Sequence, residues 1–235
     1  MVDISVIVPV YNEEQRFFQK NLCLINDYLL DKFKDFEIIV VNDGSTDSTK
    51  ETLKKITKEI HSLKAISYTP NKGKGFALKM GVLAARGSKV ILLDADMSVP
   101  LHFISKATVL LKDYDVVVGS RLAPGAKIAV SQPLMRRAFS FIFNKLAHYI
   151  FDLKVADFMC GFKAFNKEAA KTSFQHLKLN RFCFDLEVIL IAEQLKYKIY
   201  ELPVEWKHVS NSRIKIIKDS FISLYEFYLL RKKYR

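Results

Sequence analysis

The stretch KVILLDAD, residues 89–96, decides how the rest of the chain is read. Its apolar residues Val90 to Leu93 run without the alternation of a half-solvated strand, which is the pattern of a strand covered on both faces. The run then ends on two carboxylates, Asp94 and Asp96. Working outward, EIIVVND at 37–43 repeats the pattern. β-branched runs at Ile4–Val10, Phe36–Asn42, Leu63–Tyr68, Val90–Asp94 and Val116–Ser120 give five expected strands. Amphipathic segments of helical length separate them, the second beginning near Ser45 to Asp47 and the fourth entered at Pro100. Alternating β and α predicts an α/β fold: a Rossmann-like, mostly parallel sheet with helices on both faces. Ligands of such sheets sit beyond the carboxyl ends of the strands. That rule directs attention to 9–13, 42–45, 69–71, 94–96 and 119–121.

Composition narrows the class. The chain has 235 residues, half of them hydrophobic, with 8 Gly and 6 Pro, so collagen-like, disordered and disulfide-scaffold classes are excluded. Cys23, Cys160 and Cys183 have none of the paired spacings of zinc or redox motifs, and a reducing, cytosolic compartment is expected. The start, MVDISVIVPVYNEE, lacks the basic, uninterrupted apolar profile of an export signal. The most apolar stretches, 138–153 and 214–230, carry too many charged residues to read as membrane spans.

The formal charge is +12. Residues 1–130 hold 18 basic and 15 acidic side chains, and residues 131–235 hold 19 and 10, so most of the excess lies in the second part. There AFSFIFNKLAHYIF and IIKDSFISLYEFYLLRKKYR interleave aromatics with cations. They read either as interfacial helices on a membrane surface or as amphipathic helices packed on a core. After Arg121 the texture changes to a loop, a long amphipathic helix, the motif 157–163, a helix around Phe184–Gln194 and a strand at Ile199–Trp206. Without a break in composition, residues 1–235 are expected to form one domain, the later part being an extension that completes the same site.

Two carboxylates at the end of a buried strand need a positive partner. Either Lys or Arg supplies it as an ion pair, or a hard divalent cation, Mg²⁺ or Mn²⁺, binds there and completes its shell with phosphate oxygens and water. Asp43 closes the second strand before the Gly44–Ser45 turn, which suits a close ligand approach or a helix cap. Asn71, Gly73 and Lys74 suit an anionic ligand or a simple turn. The third glycine of a dinucleotide fingerprint is Leu78 here, and no phosphate-loop motif occurs. The five histidines show no metal spacing.

VPVYNEE (8–14), VVNDGSTD (40–47), NKGKGFALKMG (71–81), LLDADMSVP (92–100) and VVGSR (117–121) together resemble the ordered motifs of inverting family 2 glycosyltransferases with the GT-A fold. The runs DFMCGFKAFNKEAA (157–170), RFCFDLEVILIA (181–192) and ELPVEWKHVSNSRIK (201–215) are similar to the polyprenyl-phosphate branch, the dolichyl-phosphate glucosyltransferases and mannose synthases. The resemblance implies a nucleotide-sugar half (1–121) and an acceptor and membrane-surface half (122–235). It assigns Pro9, Tyr11, Glu13, Val41 and Asp43 to the nucleoside pocket, and Asp94, Ala95 and Asp96 to the donor, with Asp94 and Asp96 as metal ligands. It assigns Arg121, Lys207 and Arg213 to the donor and Arg136 and Arg213 to the acceptor phosphate, with Asp96, Asp157 and Arg121 as catalytic residues. Ser98 stands where the mannose branch commonly has Gln.

The expected reaction moves a hexose, glucose before mannose, from a nucleotide sugar to a polyprenyl or dolichyl phosphate with inversion. UDP-glucose is favoured over GDP-mannose, and the expected location is peripheral, on the cytoplasmic face of a membrane. A saccharide acceptor is the alternative. A noncatalytic nucleic-acid-binding module leaves the ordered strand-end motifs without a role, so no nucleic-acid partner is expected.

Overall fold

A computed structural model describes residues 2–14, 18–131, 133–209 and 216–234; the side chains of Arg136 and of 216–221 lie outside that description. The elements run β1 (Ile4–Val10), α1 (Phe18–Lys32), β2 (Phe36–Asp43), α2 (Thr49–Glu59), β3 (Leu63–Tyr68), α3 (Lys74–Ala84), β4 (Lys89–Leu92), α4 (His102–Leu110) and β5 (Val116–Ser120). They continue with β6 (Lys127–Val130), α5 (Leu134–Phe151), β7 (Lys163–Asn166), α6 (Lys167–His176), α7 (Phe184–Gln194), β8 (Ile199–Pro203), β9 (Glu205–Lys207) and α8 (Ile216–Tyr234).

Seven strands form one sheet in the order β3-β2-β1-β4-β7-β5-β8, and β6 and β9 form a two-stranded parallel sheet beside it. The large sheet is parallel except for β7, which runs antiparallel to both neighbours, pairing Leu92 with Lys163 and Lys163 with Val118. Apolar residues cover both faces, as the uninterrupted strands require. One layer holds Ile7, Val41, Leu78, Leu92, Phe165, Phe174 and Phe184, and the other Val8, Leu22, Ile25, Ile38, Leu53, Ile104 and Phe162. Each such side chain taken from water contributes about 1.5–3 kcal/mol.

The expected strands β1, β3 and β5 have the bounds read from sequence. The second strand runs one residue further, to Asp43, and the single strand expected at Ile199–Trp206 is split at Val204 into β8 and β9, which join different sheets, because the Val204 amide donates to the Ser120 carbonyl of β5 while its own carbonyl accepts the Lys127 amide of β6. Two further expectations shift. The second helix starts at Thr49, because the residues before it are engaged elsewhere: Ser45 Oγ accepts from the Asn12 amide (2.9 Å), and Asp47 Oδ2 from that of Glu14 (3.1 Å). Asp47 Oδ1 still accepts the Thr49 amide at 3.0 Å. The fourth strand stops at Leu92, so Asp94 and Asp96 lie in the turn that follows it, closed by the Met97 amide on the Asp94 carbonyl (3.0 Å).

Phe143 of α5 and Phe227 of α8 meet with ring centroids 5.4 Å apart. The outer sides of these helices leave Leu134, Met135, Phe141, Ile142, Tyr149, Leu224, Tyr225 and Tyr228 exposed. Among the described residues no helix is long and apolar enough to cross a membrane.

Candidate active site

The turn after β4 is held from three directions. From α3, Lys74 Nζ reaches Asp94 Oδ1 at 2.6 Å. Burial works against the Lys74 charge, but Asp94 and then Asp185 and Asp96 more than offset it and raise its pKa above the ordinary lysine value. From below, Gly161 lies so close that a Cβ there would stand 2.1 Å from Asp94 Oδ2. The third hold is local: Asp96 Oδ1 accepts from the Ser98 amide (3.0 Å) and from Ser98 Oγ (2.7 Å). Ser98 is therefore a support for Asp96, and its carbonyl accepts the Lys207 amide from β9 at 3.0 Å.

Behind this turn sits an ionic pair that the sequence reading did not single out. Lys163, wholly buried, donates to the Cys160 carbonyl (2.7 Å) and to Asp185 Oδ1. Burial pushes the Asp185 carboxyl up, while Lys163 and then Lys74 pull it down. A lysine inside the short strand KAFN, and an aspartate opening the apolar helix FDLEVILIA, were the available signals. Both are residues that the interior accepts only when paired. Burial also lifts the Cys160 thiol to about 11, which keeps it protonated and non-nucleophilic at neutral pH.

Arg121, just past β5, is forked onto Asp157: Nε to Oδ2 at 2.7 Å, Nη2 to Oδ1 at 2.8 Å, with the Arg121 amide also on Oδ2 at 2.9 Å. Its guanidinium carbon stands 5.5 Å from the Trp206 ring centroid. Asp157 is fully buried, and although burial opposes its charge, Arg121 holds its carboxyl below the ordinary aspartate value.

The remaining sequence candidates divide. Asp43 is enclosed: Oδ1 accepts from Tyr68 Oη (2.9 Å) and the Lys72 amide (2.7 Å), Oδ2 from Asn71 Nδ2 (2.7 Å) and the Gly73 amide (2.9 Å). It thus shapes the loop that delivers Lys74. Gly73, at φ 107°, leaves no room for a side chain, because a Cβ would lie 2.5 Å from the Asn180 carbonyl oxygen. Pro9 and Val41 are register partners on β1 and β2, with Val41 in the core; Tyr11 is half-buried and Glu13 buried beside them. Ala95 is buried, its carbonyl accepting from Asn21 Nδ2 at 2.8 Å. Lys207 is exposed on β9. Arg213 lies outside the described residues, as does the side chain of Arg136.

The donors at the turn suit a hard divalent cation. Asp94 and Asp96 offer carboxylate oxygens just past the carboxyl end of the central strand β4, and Asp94 already faces one cation, Lys74. Among the described residues no group of three or more His, Cys, Asp and Glu could hold a metal, so a cation held by Asp94 and Asp96 would need phosphate oxygens or water for the rest of its shell.

The chain belongs to glycosyl transferase family 2, whose pattern matches residues 5–174. It is similar to dolichyl-phosphate beta-glucosyltransferases. It is 36 % identical to one from Trichomonas vaginalis over 226 residues, covering 92 % of this chain and 69 % of that one. It is 31 % identical to the Homo sapiens enzyme of that name over 229 residues, covering 90 % and 69 %. Among solved structures, glucosyl-3-phosphoglycerate synthase from Mycobacterium tuberculosis superposes with a TM-score of 0.70 at 18 % identity, over 98 % of this chain and 80 % of that one. The same synthase with Mn²⁺, UDP and glucosyl-3-phosphoglycerate gives 0.68 at 17 %, over 95 % and 76 %. The expected α/β, GT-A-like glycosyltransferase fold is borne out.

Proposed function

We propose that this glycosyltransferase moves glucose from UDP-glucose to dolichyl phosphate or a related polyprenyl phosphate, with inversion. The observation that carries the reading is the Asp94–Asp96 turn with Lys74 on Asp94, in a chain similar over nine-tenths of its length to dolichyl-phosphate beta-glucosyltransferases.

In this reading Asp94 and Asp96 hold Mg²⁺ or Mn²⁺, which when bound neutralises the diphosphate as it leaves. Ser98 fixes Asp96, and Gly161 fixes Asp94. The nucleophile is an oxygen of the lipid phosphate, already ionised at neutral pH, so two anions must be brought together rather than a proton removed. Arg121 serves that end: its pKa is raised because the Asp157 carboxylate outweighs the burial penalty, so it stays cationic in a partly desolvated site. Asp157, with both oxygens engaged by Arg121, acts as the residue that aims it. Arg213, Arg136 and Lys207 supply further positive charge to donor and acceptor, and Pro9, Tyr11, Glu13 and Ala95 wall the nucleoside and donor-sugar side, backed by the core residue Val41, the register partner of Pro9.

The prenyl tail needs an apolar surface. The exposed aromatic and aliphatic residues of α5 and α8, flanked by Arg137, Lys145, Arg231 and Lys232, fit the cytoplasmic leaflet of a membrane. The test incubates the full chain with Mn²⁺ or Mg²⁺, labelled UDP and GDP sugars and a short polyprenyl phosphate, then counts label extracted into organic solvent. Label from UDP-glucose, lost in Asp96→Asn, is expected. Donor hydrolysis with no extractable label would move the acceptor to a saccharide.

A further inference from the structure

Four carboxylates and three cations meet around the turn after β4: Asp94, Asp96, Asp157 and Asp185 against Lys74, Lys163 and Arg121. Arg121 is committed to Asp157 by three hydrogen bonds. Lys163 is committed to Asp185 and the Cys160 carbonyl, and is wholly buried. Lys74 differs. Its ammonium stands on Asp94 Oδ1, a pair with each side chain about 30 % exposed, while Asp185 and Asp96 also act on it. Its backbone is fixed, because it opens α3 directly after Gly73, and the Phe76 and Gly73 positions are packed on the Asn180 carbonyl. A lysine side chain on a fixed backbone swings only its flexible stem.

We propose that Lys74 is a resident counter-ion that occupies Asp94 until a divalent cation and diphosphate arrive, then yields that carboxylate and turns to the diphosphate. The inference rests on the reading of Asp94 and Asp96 as metal ligands. Without such an ammonium, two neighbouring carboxylates would repel one another and distort the turn. With it, a bare divalent cation must compete against a charge already in place. The diphosphate changes the balance by giving the ammonium a second anionic partner. Metal and nucleotide then bind as a pair, and the cation is disfavoured alone. Asp185 remains behind as a fixed negative neighbour that keeps the ammonium from leaving the site.

The experiment measures Mn²⁺ uptake by the full chain from the electron paramagnetic resonance of free Mn²⁺, with and without UDP. It compares the wild type with Lys74→Gln and Lys74→Arg, each first checked for folding by circular dichroism. Without UDP, Lys74→Gln should bind Mn²⁺ roughly three- to fivefold tighter than wild type, the scale of a partly exposed ion pair. Lys74→Arg, which keeps the charge, should match wild type. UDP should tighten Mn²⁺ binding strongly in wild type and much less in Lys74→Gln. A purely structural lysine predicts weaker or unchanged metal binding in the glutamine variant, and either result overturns the counter-ion role while leaving the metal site intact. Failure of the wild type to take up Mn²⁺ even with UDP overturns both.

Discussion

Arg121 and Asp157, 36 residues apart, form a two-pronged ion pair at 2.7 and 2.8 Å that is sealed from solvent on the carboxylate side. Such a fork fixes the plane of the guanidinium as well as its position. Arg121→Lys keeps the charge but loses the second prong and the flat face over Trp206. Transfer should fall by about a hundredfold in kcat, the scale for one preorganised donor, with folding retained. A lysine variant with wild-type kcat would show that charge alone suffices.

Gly161 predicts a second, sharper effect. A methyl group there would collide with Asp94 Oδ2, at 2.1 Å, and the carboxylate is the part able to move. Gly161→Ala should therefore weaken Mn²⁺ binding in the presence of UDP by an order of magnitude or so, at a stability cost of about 1–3 kcal/mol. Unaltered metal affinity in a folded Gly161→Ala would separate Asp94 from the metal.

Glu37, away from the Asp94–Asp96 turn, contributes to acid stability. It is buried and accepts from Ser5 Oγ (2.8 Å), the Arg86 amide (2.7 Å), Arg86 Nε (3.1 Å) and Lys64 Nζ (2.9 Å). Burial raises its pKa, but the Arg86 amide, Lys64 and Ser5 prevail and bring it from 4.5 to about 2. A depressed carboxyl stabilises the fold fully above the unfolded value and loses that stabilisation as pH falls through the folded one. At pH 7 the contribution is about 3 kcal/mol. Glu37→Gln should melt lower than wild type at pH 7, and the gap should close between about pH 5 and pH 2. A gap that stays constant over that range would rule out the ionised glutamate as its source.

For the membrane surface, Phe141→Ser with Ile142→Ser and Tyr149→Ser changes only exposed side chains of α5. The triple variant should keep its melting temperature and lose flotation with anionic vesicles. Flotation equal to wild type would move the lipid contact away from α5.

Several strands and one helix were legible from local pattern alone. Ile4–Val10 and Val116–Ser120 announce themselves by their density of β-branched residues, Leu63–Tyr68 more weakly by its place between two helical segments, and the helix Phe184–Gln194 by its length. Strand β7 did not, because it is four residues long and opens on a lysine. Only the fold supplies Asp185, 22 residues later, to make that lysine tolerable in the interior. The carboxylates of the site were visible for a related reason: Asp94 and Asp96 interrupt an apolar run, whereas the pairing of Asp157 with Arg121 depends on loop geometry that no local pattern encodes. Asp43 shows the converse. Its place at a strand end was plain, yet the sequence tied the loop it organises, 71–73, only to an anionic ligand or a turn and not to Asp43 itself.

The reversed strand β7 has a consequence for anyone wishing to take the enzyme apart. β4 and β5 never touch as neighbours; each is hydrogen-bonded to β7, which comes from the later part of the chain. A fragment ending near residue 121 would present β4 as a raw edge and leave β5 with no rung to stand on, an invitation to aggregate. The earlier and later parts of the chain are thus interlaced like the two sides of a zip, and a chimera between relatives must carry 163–166 across with its own β4 and β5 or forfeit the sheet.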